Sequence, residues 1–438
     1  MLRSFAAMAM LTAVCLATPA AAQTNATPPA PSTPNAPTDP INETWGDFDP
    51  GQGFLVGRND LGELAISGYA LVRYMNQMPG EDTFVDHLGN TRTVDGRNDV
   101  FPHRVIVWLK GWMGSRKVFY NIAFWTVNTT NQVAIFGNLG YQFHRAFNLY
   151  AGINGNPGTR SLQGSHPFWL GHDRVMADEF FRPYFGSGVW AQGQLTAGLW
   201  YNVMLGNSNS ALDIKATQLD REFTPSVSMW WMPTTKEFGP KGAYGDWDYH
   251  EKVATRIGFS TTKSSEQRYT NDSGGPGNTT LRLADSLNVF DTGALAPGVT
   301  VDRADFTILS FDAGLKYKGI FVQTEIYNRW LEKFIADGPL PMTKIHDTGY
   351  YVQAAFYPVP KKLEVYGVTS HIFGDEDAGF GSSHEYGGGM NYYLANSRNH
   401  RFNFQVLNVD GSPVSSTFGY YVGGQTGTTV SAGFSVFF

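Results

Sequence analysis

The last twelve residues constrain the fold of this chain more than any other stretch of the sequence. They read Gly427-Thr-Thr-Val-Ser-Ala-Gly-Phe-Ser-Val-Phe-Phe438, with apolar residues alternating with small or polar ones. Successive side chains of a β-strand point to opposite faces. One face of such a strand carries Val430, Ala432, Phe434, Val436 and Phe438. This pattern, ending on an aromatic residue, is typical of the closing strand of a membrane β-barrel, which has one face toward lipid and one toward the lumen.

The start of the sequence predicts export from the cytoplasm. Met1-Leu-Arg-Ser is a short basic start, a mostly apolar run follows it, and Ala20-Ala-Ala22 is a small-residue cleavage motif. These features predict a secretory signal peptide over residues 1–22. The single cysteine, Cys15, lies inside it, so the mature chain is expected to have no disulfide. Residues 23–60 begin with a Pro-rich run and are expected to be an extended periplasmic lead-in.

The composition favours a membrane barrel over a soluble enzyme. Charged residues make up 16% of the chain, aromatic residues 14%, and there are 49 glycines. Average soluble chains carry about 25% charged residues. Beyond the predicted signal peptide, no stretch approaches the roughly 18 apolar residues that a membrane helix needs. The formal net charge of -6 says little about a partner, because loops and lumen can differ in sign.

Alternating segments of about ten residues recur from residue 62 onward, as expected for barrel strands. About sixteen can be recognised, an even number, as in closed single-chain barrels. We therefore predict an all-β fold, a transmembrane antiparallel up-and-down β-barrel over residues 61–438. The predicted strands are 62–74, 101–112, 116–129, 132–143, 146–154, 185–194, 196–206, 224–232, 253–263, 306–317, 320–330, 346–357, 361–373, 383–394, 399–408 and 427–438.

The connections between the predicted strands alternate between long and short. A barrel whose two termini face the periplasm has longer extracellular loops and shorter periplasmic turns. With the first connection taken as extracellular, most of the chain follows this order. Two connections depart from it: residues 130–131 are short where a loop is due, and residues 233–252 are long where a turn is due.

The third extracellular connection, residues 155–184, carries both apolar and basic residues. Phe168-Trp169-Leu170 and Phe180-Phe181 are unfavourable in water, so we expect this loop to fold into the lumen and narrow it. The alternative is a loop that folds over the outer rim. In the first case three basic residues lie near the constriction: Arg160, Arg174 and Arg182.

Charged residues on the predicted strands are expected to face the lumen. A Lys or Arg that faces lipid at mid-depth costs about 2–4 kcal/mol. The cations assigned inward on this ground are Arg73, Arg104, Lys110, Arg256, Lys316, Arg329 and Arg401. The acids assigned inward are fewer: Glu63, Asp312, Glu325 and Glu385, with Glu364 on a strand whose faces are less clear. An excess of basic groups favours anions in a pore. The alternative is that these arginines pair with the acids and hold the barrel wall.

Other functional classes have weak signals. His166 and His172 have no third ligand at suitable spacing, so we predict no metal site and no cofactor. Ser382-Ser383-His384 has no convincing third member for a lipase-like enzyme. The connection 264–305, with its Gly274-Gly-Pro-Gly277 tip, favours a surface adhesin or receptor if it proves to be the functional surface.

Several short stretches, in order along most of the mature chain, resemble the phosphate-selective porin family (porin O and P). They are Gly62 to Arg73, Asp302 to Trp330, Gly349-Tyr-Tyr-Val-Gln353, Pro360-Lys-Lys-Leu-Glu-Val-Tyr-Gly367, Gly389-Met-Asn-Tyr-Tyr393 and the final Phe438. One position departs from the pattern, since Val368 stands where similar proteins often carry arginine.

The resemblance implies a sixteen-stranded homotrimeric porin in the outer membrane of a Gram-negative bacterium, with an inward-folded third loop that shapes the channel. It also implies passive uptake of small anions, with phosphate as one candidate solute. The expected surroundings are outer-membrane lipids and lipopolysaccharide, and no nucleic-acid partner is expected.

Overall fold

The computed structural model describes residues 53–127, 133–163, 166–209, 222–239, 242–268, 281–414 and 420–438. Their main feature is one antiparallel β-sheet that closes on itself. Its strands are β1 (Phe54–Arg58), β2 (Glu63–Pro79), β5 (Asn98–Met113), β6 (Ser115–Val127), β7 (Val133–His144), β8 (Phe147–Gly155), β9 (Phe185–Thr196), β10 (Leu199–Gly206), β11 (Thr224–Trp231), β12 (Ala254–Gln267), β13 (Val301–Tyr317), β14 (Ile320–Ala336), β15 (Lys344–Val359), β16 (Leu363–Phe373), β17 (Ser382–Tyr393), β18 (His400–Asp410) and β19 (Gly427–Phe437). A separate hairpin is formed by β3 (Thr83–Val85) and β4 (Thr91–Thr93), and one short helix is α1 (Met176–Phe181).

Sixteen strands of this sheet form the ring, because the short β1 lies only along the start of β2. Each ring strand pairs with the next one along the chain, and β19 pairs with β2. The predicted up-and-down barrel of about sixteen strands is confirmed. Each predicted strand coincides with an observed one.

The main differences from the sequence prediction are in strand length. The strand β2 continues to Pro79, β14 continues to Ala336, and β13 already begins at Val301. These extensions contain polar residues such as Asn76 and Lys333, which interrupt the apolar alternation of the outer face. Backbone pairing needs no apolar face, so strands extend beyond the part of the wall that the alternation identifies.

The barrel closes where the last strand meets the first. The register of β19 on β2 runs from Gly427 opposite Pro79 to Phe437 opposite Tyr69. Phe438 then exchanges two backbone hydrogen bonds with Gly68, at 3.1 and 3.0 Å. The strand β1 continues the same line along β2. It comes from the end of the predicted lead-in, and its Phe54 ring lies 5.1 Å from that of Phe438.

The two faces of the ring differ as the alternation predicts. On β13, Phe311 is 50% exposed whereas its neighbour Asp312 is 4% exposed. The predicted faces of β13, β14, β17 and β19 are all observed. The exposed outer face carries a belt of apolar side chains that includes Val72, Ile135, Leu149, Val203, Ile257, Ile326, Val352, Met390, Val406 and Phe434. Among the described residues, no helix is long and apolar enough to cross a membrane.

The two rims of the barrel carry different connections. Because successive strands run in opposite directions, every second connection lies at the rim where β2 begins and β19 ends, here called the terminus rim. The connections at this rim are short, except for residues 233–252, which we call the inner segment. Most connections at the other rim, the loop rim, are longer, and they include residues 156–184, which we call the third loop. The predicted short connection 130–131 lies outside the described residues.

A single hydrophobic cluster joins these connections to the wall. It contains Met176 and Phe181 of the third loop, Tyr244 of the inner segment, and the inward-facing Tyr327 and Tyr351. Residues from 281–300, among them Leu283 and Phe290, belong to the same cluster, as do Val414 and Tyr421. The apolar side chains of the connections are therefore buried against the inner face of the ring.

We predict that removal of residues 427–438 abolishes the folded barrel, because it leaves β2 and β18 with unpaired edges that hydrocarbon does not tolerate. The measurement is the heat-dependent mobility of refolded protein in SDS gels. The matched control is removal of Phe54–Arg58, which leaves the ring closed and should retain the folded band. A folded band from the chain without β19 would contradict this account of closure.

Candidate functional site

The backbone of the third loop is bound by inward-facing side chains of several strands. The main-chain N–H of Arg160 donates to Glu325 Oε1 of β14 at 2.9 Å. At the start of α1, the N–H of Met176 donates to Glu385 Oε1 of β17 at 2.6 Å. The N–H of Ala177 donates to the Ser370 hydroxyl of β16 at 3.2 Å. Polar wall residues therefore satisfy loop N–H groups that are buried away from water.

Aromatic and basic side chains hold the same loop from other directions. The Phe181 ring stacks on Tyr327 of β14 at 4.9 Å, and the Arg329 guanidinium lies 3.9 Å from the Phe180 ring centre. On β17, Asn391 donates to the Leu170 carbonyl at 2.9 Å. Of the two apolar groups that the sequence analysis singled out, Trp169, Leu170, Phe180 and Phe181 are buried and Phe168 is half-buried.

One carboxylate joins the third loop to the first two ring strands. Asp173 accepts hydrogen bonds from Arg73 of β2 and from Arg104 of β5, the latter at 3.0 Å. The pairing of β2 with β5 shifts between Leu71 and Val72, next to His103. This irregularity allows both His103 and Arg104 to face inward, and His103 Nε2 lies 3.5 Å from Asp173. The aspartate therefore offsets two of the ten predicted cations.

Four further predicted cations also lie beside carboxylates. The Nε of Arg256 lies 2.9 Å from Asp312, and Arg329 Nη2 lies 2.6 Å from Asp347 on the neighbouring strand. Within the third loop, Arg174 lies 3.6 Å from Asp178 and Arg182 lies 2.7 Å from Glu179. These contacts are the cross-strand and local pairing that the sequence analysis held open as an alternative. Another predicted cation, Lys110, is half-buried on the inner face opposite Ala65.

Three predicted cations are held mainly by carbonyl oxygens. Arg401 donates to the carbonyls of Trp169, Pro167 and Gly171 in the third loop. Lys316 donates to the carbonyls of Phe238 and Ala243, at 2.7 and 2.6 Å. Arg160 donates to the carbonyl of Gly242, and its Nε lies 3.9 Å from Asp312, which Arg256 also contacts. A carbonyl dipole offsets less positive charge than a carboxylate does, and the charges of Asp246 and Asp248 also reach Lys316.

The inner face carries more acids than the sequence analysis assigned to it. Asp347, Asp305 and Glu266 all lie on ring strands, and they are 0%, 7% and 0% exposed. Two of the three, Asp305 and Glu266, fall in strand extensions beyond the predicted ends. In the third loop, Asp178 is a further buried acid, and the Asp173 side chain is 9% exposed. The excess of inward-facing cations over inward-facing acids is thus smaller than the sequence analysis predicted. The placement of individual charges therefore matters more than their count.

The inner segment is an element of the candidate site that sequence reasoning missed. Its main-chain N–H at Tyr244 donates to the Phe168 carbonyl of the third loop at 2.9 Å. The Tyr244 hydroxyl lies 3.2 Å from that of Tyr351 on β15. The anomalous length of residues 233–252 was the available signal. The two connections, which start from opposite rims, therefore meet.

A histidine stabilises the C-terminal end of the inner segment. His250 lies between Asp246 and Glu237, and hydrogen bonds to these carboxylates raise its pKa from 6.5 to about 9. Asp246 also accepts a hydrogen bond from the N–H of Gly319, in the turn between β13 and β14, at 2.7 Å. The stabilisation from protonated His250 is complete below pH 6.5 and is lost as the pH rises through about 9.

The weaker motifs of the sequence occupy ordinary structural positions. Among the described residues there is no group of three His, Cys, Asp or Glu side chains that could hold a metal ion. Strand alternation puts Ser383 and His384 on opposite faces of β17, and the Ser383 hydroxyl donates to the Gly411 carbonyl. The Gly274–Gly277 tip of the adhesin alternative lies outside the described residues.

Comparisons with known proteins identify the fold through structure. No protein-family model and no curated protein matches the sequence. The anion-selective porin of Comamonas acidovorans is 12% identical, with a TM-score of 0.51, over 86% of this chain and 100% of that one. OmpT of Vibrio cholerae is 11% identical, with a TM-score of 0.50, over 87% of this chain and 99% of that one. Salmonella typhi OmpF, in complex with daunomycin, is 12% identical, with a TM-score of 0.50, over 87% of this chain and 99% of that one.

These identities establish a common fold, and the closed ring with its apolar outer belt agrees with it. A closed sheet leaves no unpaired strand edge in hydrocarbon. The chain therefore has the fold of Gram-negative outer-membrane porins, and its apolar outer belt is that of a β-barrel that crosses a membrane with its strands.

Proposed function

We propose that this protein is a porin that allows small hydrophilic solutes to diffuse passively across the outer membrane, with a preference for anions. The observation that carries the proposal is the division of a closed ring into an apolar outer face and a polar, charged inner face. A charged residue such as Asp312 faces inward beside an outward Phe311. Such a division is expected where the interior contains water and the exterior contacts lipid.

The anion preference follows from the cations whose charge is least offset. Arg401 and Lys316 donate only to carbonyl oxygens in the hydrogen bonds found for them. Arg160 shares Asp312 with Arg256. Fixed positive charges in a narrow, partly dehydrated passage attract anions and repel cations. We assign the main selective role to these three residues. We assign mainly structural pairing to Arg73, Arg104, Arg256 and Arg329, and to Arg174 and Arg182 within the third loop, while Lys110 contributes to the field of the wall.

The third loop forms the constriction in this proposal. Its contacts with wall residues on β2, β5, β14, β16, β17 and β18 support a position inside the ring, since a loop over the outer rim could not reach all of them. The resemblance to phosphate-selective porins favours phosphate among the permeating anions and a homotrimer as the assembled form. Lipopolysaccharide and outer-membrane lipids surround the apolar belt.

We predict that the purified protein conducts ions in planar bilayers and that its reversal potential in a potassium chloride gradient favours chloride. Replacing Arg401 by Gln should lower the chloride-to-potassium permeability ratio about two- to fivefold, the effect of one charge a few ångströms from the ion at high dielectric. The matched control is Arg116→Gln, an exposed arginine at the terminus rim. Silent bilayers would contradict the porin proposal, and cation preference in a conducting channel would contradict only the assignment of anions.

We predict that Asp173→Asn loosens the third loop. The substitution keeps the size of the side chain but leaves Arg73 and Arg104 without their carboxylate, and loss of one partner of a buried pair destabilises by about 3–5 kcal/mol. The expected results are a lower urea midpoint of unfolding and a noisier open-channel current. Asp302→Asn, at an exposed position near the start of β13, is the control and should change neither. A quiet channel of ordinary stability would show that Asp173 does not hold the loop.

A further inference from the structure

Two buried histidines lie beside Asp173, where the third loop contacts the wall. His103 of β5 is 1% exposed and His172 of the third loop is 4% exposed. Both ring nitrogens of each histidine are buried and have no hydrogen-bond partner among the described atoms. His103 Nε2 lies 3.5 Å from Asp173 Oδ1, which is at the outer limit of a hydrogen bond. Buried polar atoms are normally satisfied, so four such atoms in one cluster require an explanation.

The local backbone places both rings in this position. The pairing shift between Leu71 and Val72 allows His103 to face inward next to Arg104. His172 packs against β19 at Gly433, where a Cβ would lie only 2.7 Å from His172 Nδ1. The wall therefore accommodates the His172 ring closely without offering its nitrogens a hydrogen bond.

The charges around the two rings are mostly positive. They are the guanidinium groups of Arg73 on β2, Arg104 on β5 and Arg401 on β18, and the carboxylate of Asp173 in the third loop. The residue that faces His172 from β19, Gly433, has no charge. Burial lowers the pKa of His172 well below 6.5, and the charges of Arg401 and Arg73 lower it further. This cluster therefore favours neutral imidazole rings.

Protonation of the rings is incompatible with this packing. An imidazolium has two N–H donors that need acceptors or water, and an unpaired buried charge is highly unfavourable. Asp173 already faces Arg73 and Arg104, so it cannot compensate two further positive charges. Once the loop is released and the rings are in water, each histidine regains an ordinary pKa of about 6.5. Each pH unit below that value therefore shifts the equilibrium toward release by about tenfold for each histidine.

We propose that His103 and His172 form a proton-sensitive latch. While both rings are neutral, the latch holds residues 167–174 of the third loop, here called the latch segment, against β2, β5 and β18. Acid protonates the rings, separates Asp173 from Arg73 and Arg104, and admits water to the cluster. The effect of this release on solute passage rests on the proposed porin function, whereas the release itself does not depend on conduction.

The test measures how well the latch segment is protected at two pH values. The only cysteine of the sequence lies in the predicted signal peptide, so Leu170→Cys places a single thiol in the latch segment, at a position that is 1% exposed. Its rate of reaction with a dithiodipyridine reagent, which reacts with thiols in acid as well as at neutral pH, is measured on the folded barrel in detergent. Each rate is divided by that of Lys117→Cys, an exposed position near the terminus rim, at the same pH.

This relative rate should rise at least about tenfold between about pH 7.5 and about pH 5, because the latch segment is released in acid. The division cancels the effect of pH on the thiol and on the reagent. A relative rate that is the same at both pH values would show that acid does not release the latch segment, and the proposal would be wrong.

Substitutions of histidine locate the acid response. With His103→Gln and His172→Gln together, neither position can take up a proton, so the relative rate should be the same at both pH values. His400→Gln changes an exposed histidine at the start of β18, and this matched control should retain the full response. An acid response that persists in the double variant would contradict the assignment to these two residues.

A second pair of variants covers the case in which glutamine loosens the loop at both pH values. His103→Leu with His172→Leu removes the titratable nitrogens and the unsatisfied polar atoms together, so the thiol at position 170 should stay protected in acid. Fast reaction at both pH values in both double variants would show that the rings serve packing alone, and it would contradict the latch.

Bilayer recording separates this inference from the porin function. The open-channel current of the unmodified protein should become noisier at about pH 5, and that of the double glutamine variant should not. Silent bilayers together with an acid-exposed thiol would count against the porin function alone. A conducting channel whose thiol stays protected in acid would count against the latch alone.

Discussion

The structure depends on the pairing of backbone N–H and C=O groups around a closed ring, because hydrocarbon offers them no other partner. The contact of β19 with β2 completes that ring, and it extends to the final residue through the hydrogen bonds between Phe438 and Gly68. Closure fixes the inner and outer faces of every strand at once. The apolar belt, the charged interior and the positions of both rims all follow from it.

The interior is organised by the need to satisfy charges that closure directs inward. Some, such as Arg329 with Asp347, pair directly across neighbouring strands. Others are completed by connections that start at the rims, as when Asp173 of the third loop reaches Arg73 and Arg104. The inner segment completes the set from the opposite rim with carbonyl oxygens around Lys316. The wall and the segments that contact it therefore form one electrostatic unit.

The division between what the sequence predicted and what it did not has a physical cause. Period-two alternation is local, so it predicted the strands and the facing of residues such as Asp312 and Arg329. The partners of the cations are distant in sequence: Asp173 is 100 residues from Arg73, and Gly242 is 82 residues from Arg160. No local sequence pattern predicts contacts between residues so far apart in the chain. Strand alternation could assign Lys316 to the interior but could not show that backbone carbonyls would be its partners.

The central claim is that successive residues of each wall strand face alternately a water-filled bore and lipid. Its most direct test is cysteine modification during bilayer recording, because the only cysteine of the sequence lies in the predicted signal peptide. Ser435, on the inner face of β19, borders a cavity shared with Arg398 and Arg401, and Val436 is its outward neighbour. A charged, membrane-impermeant thiol reagent should change the current through a Ser435→Cys channel and leave a Val436→Cys channel unaffected. Equal effects on both channels, or an effect on Val436→Cys alone, would contradict the account.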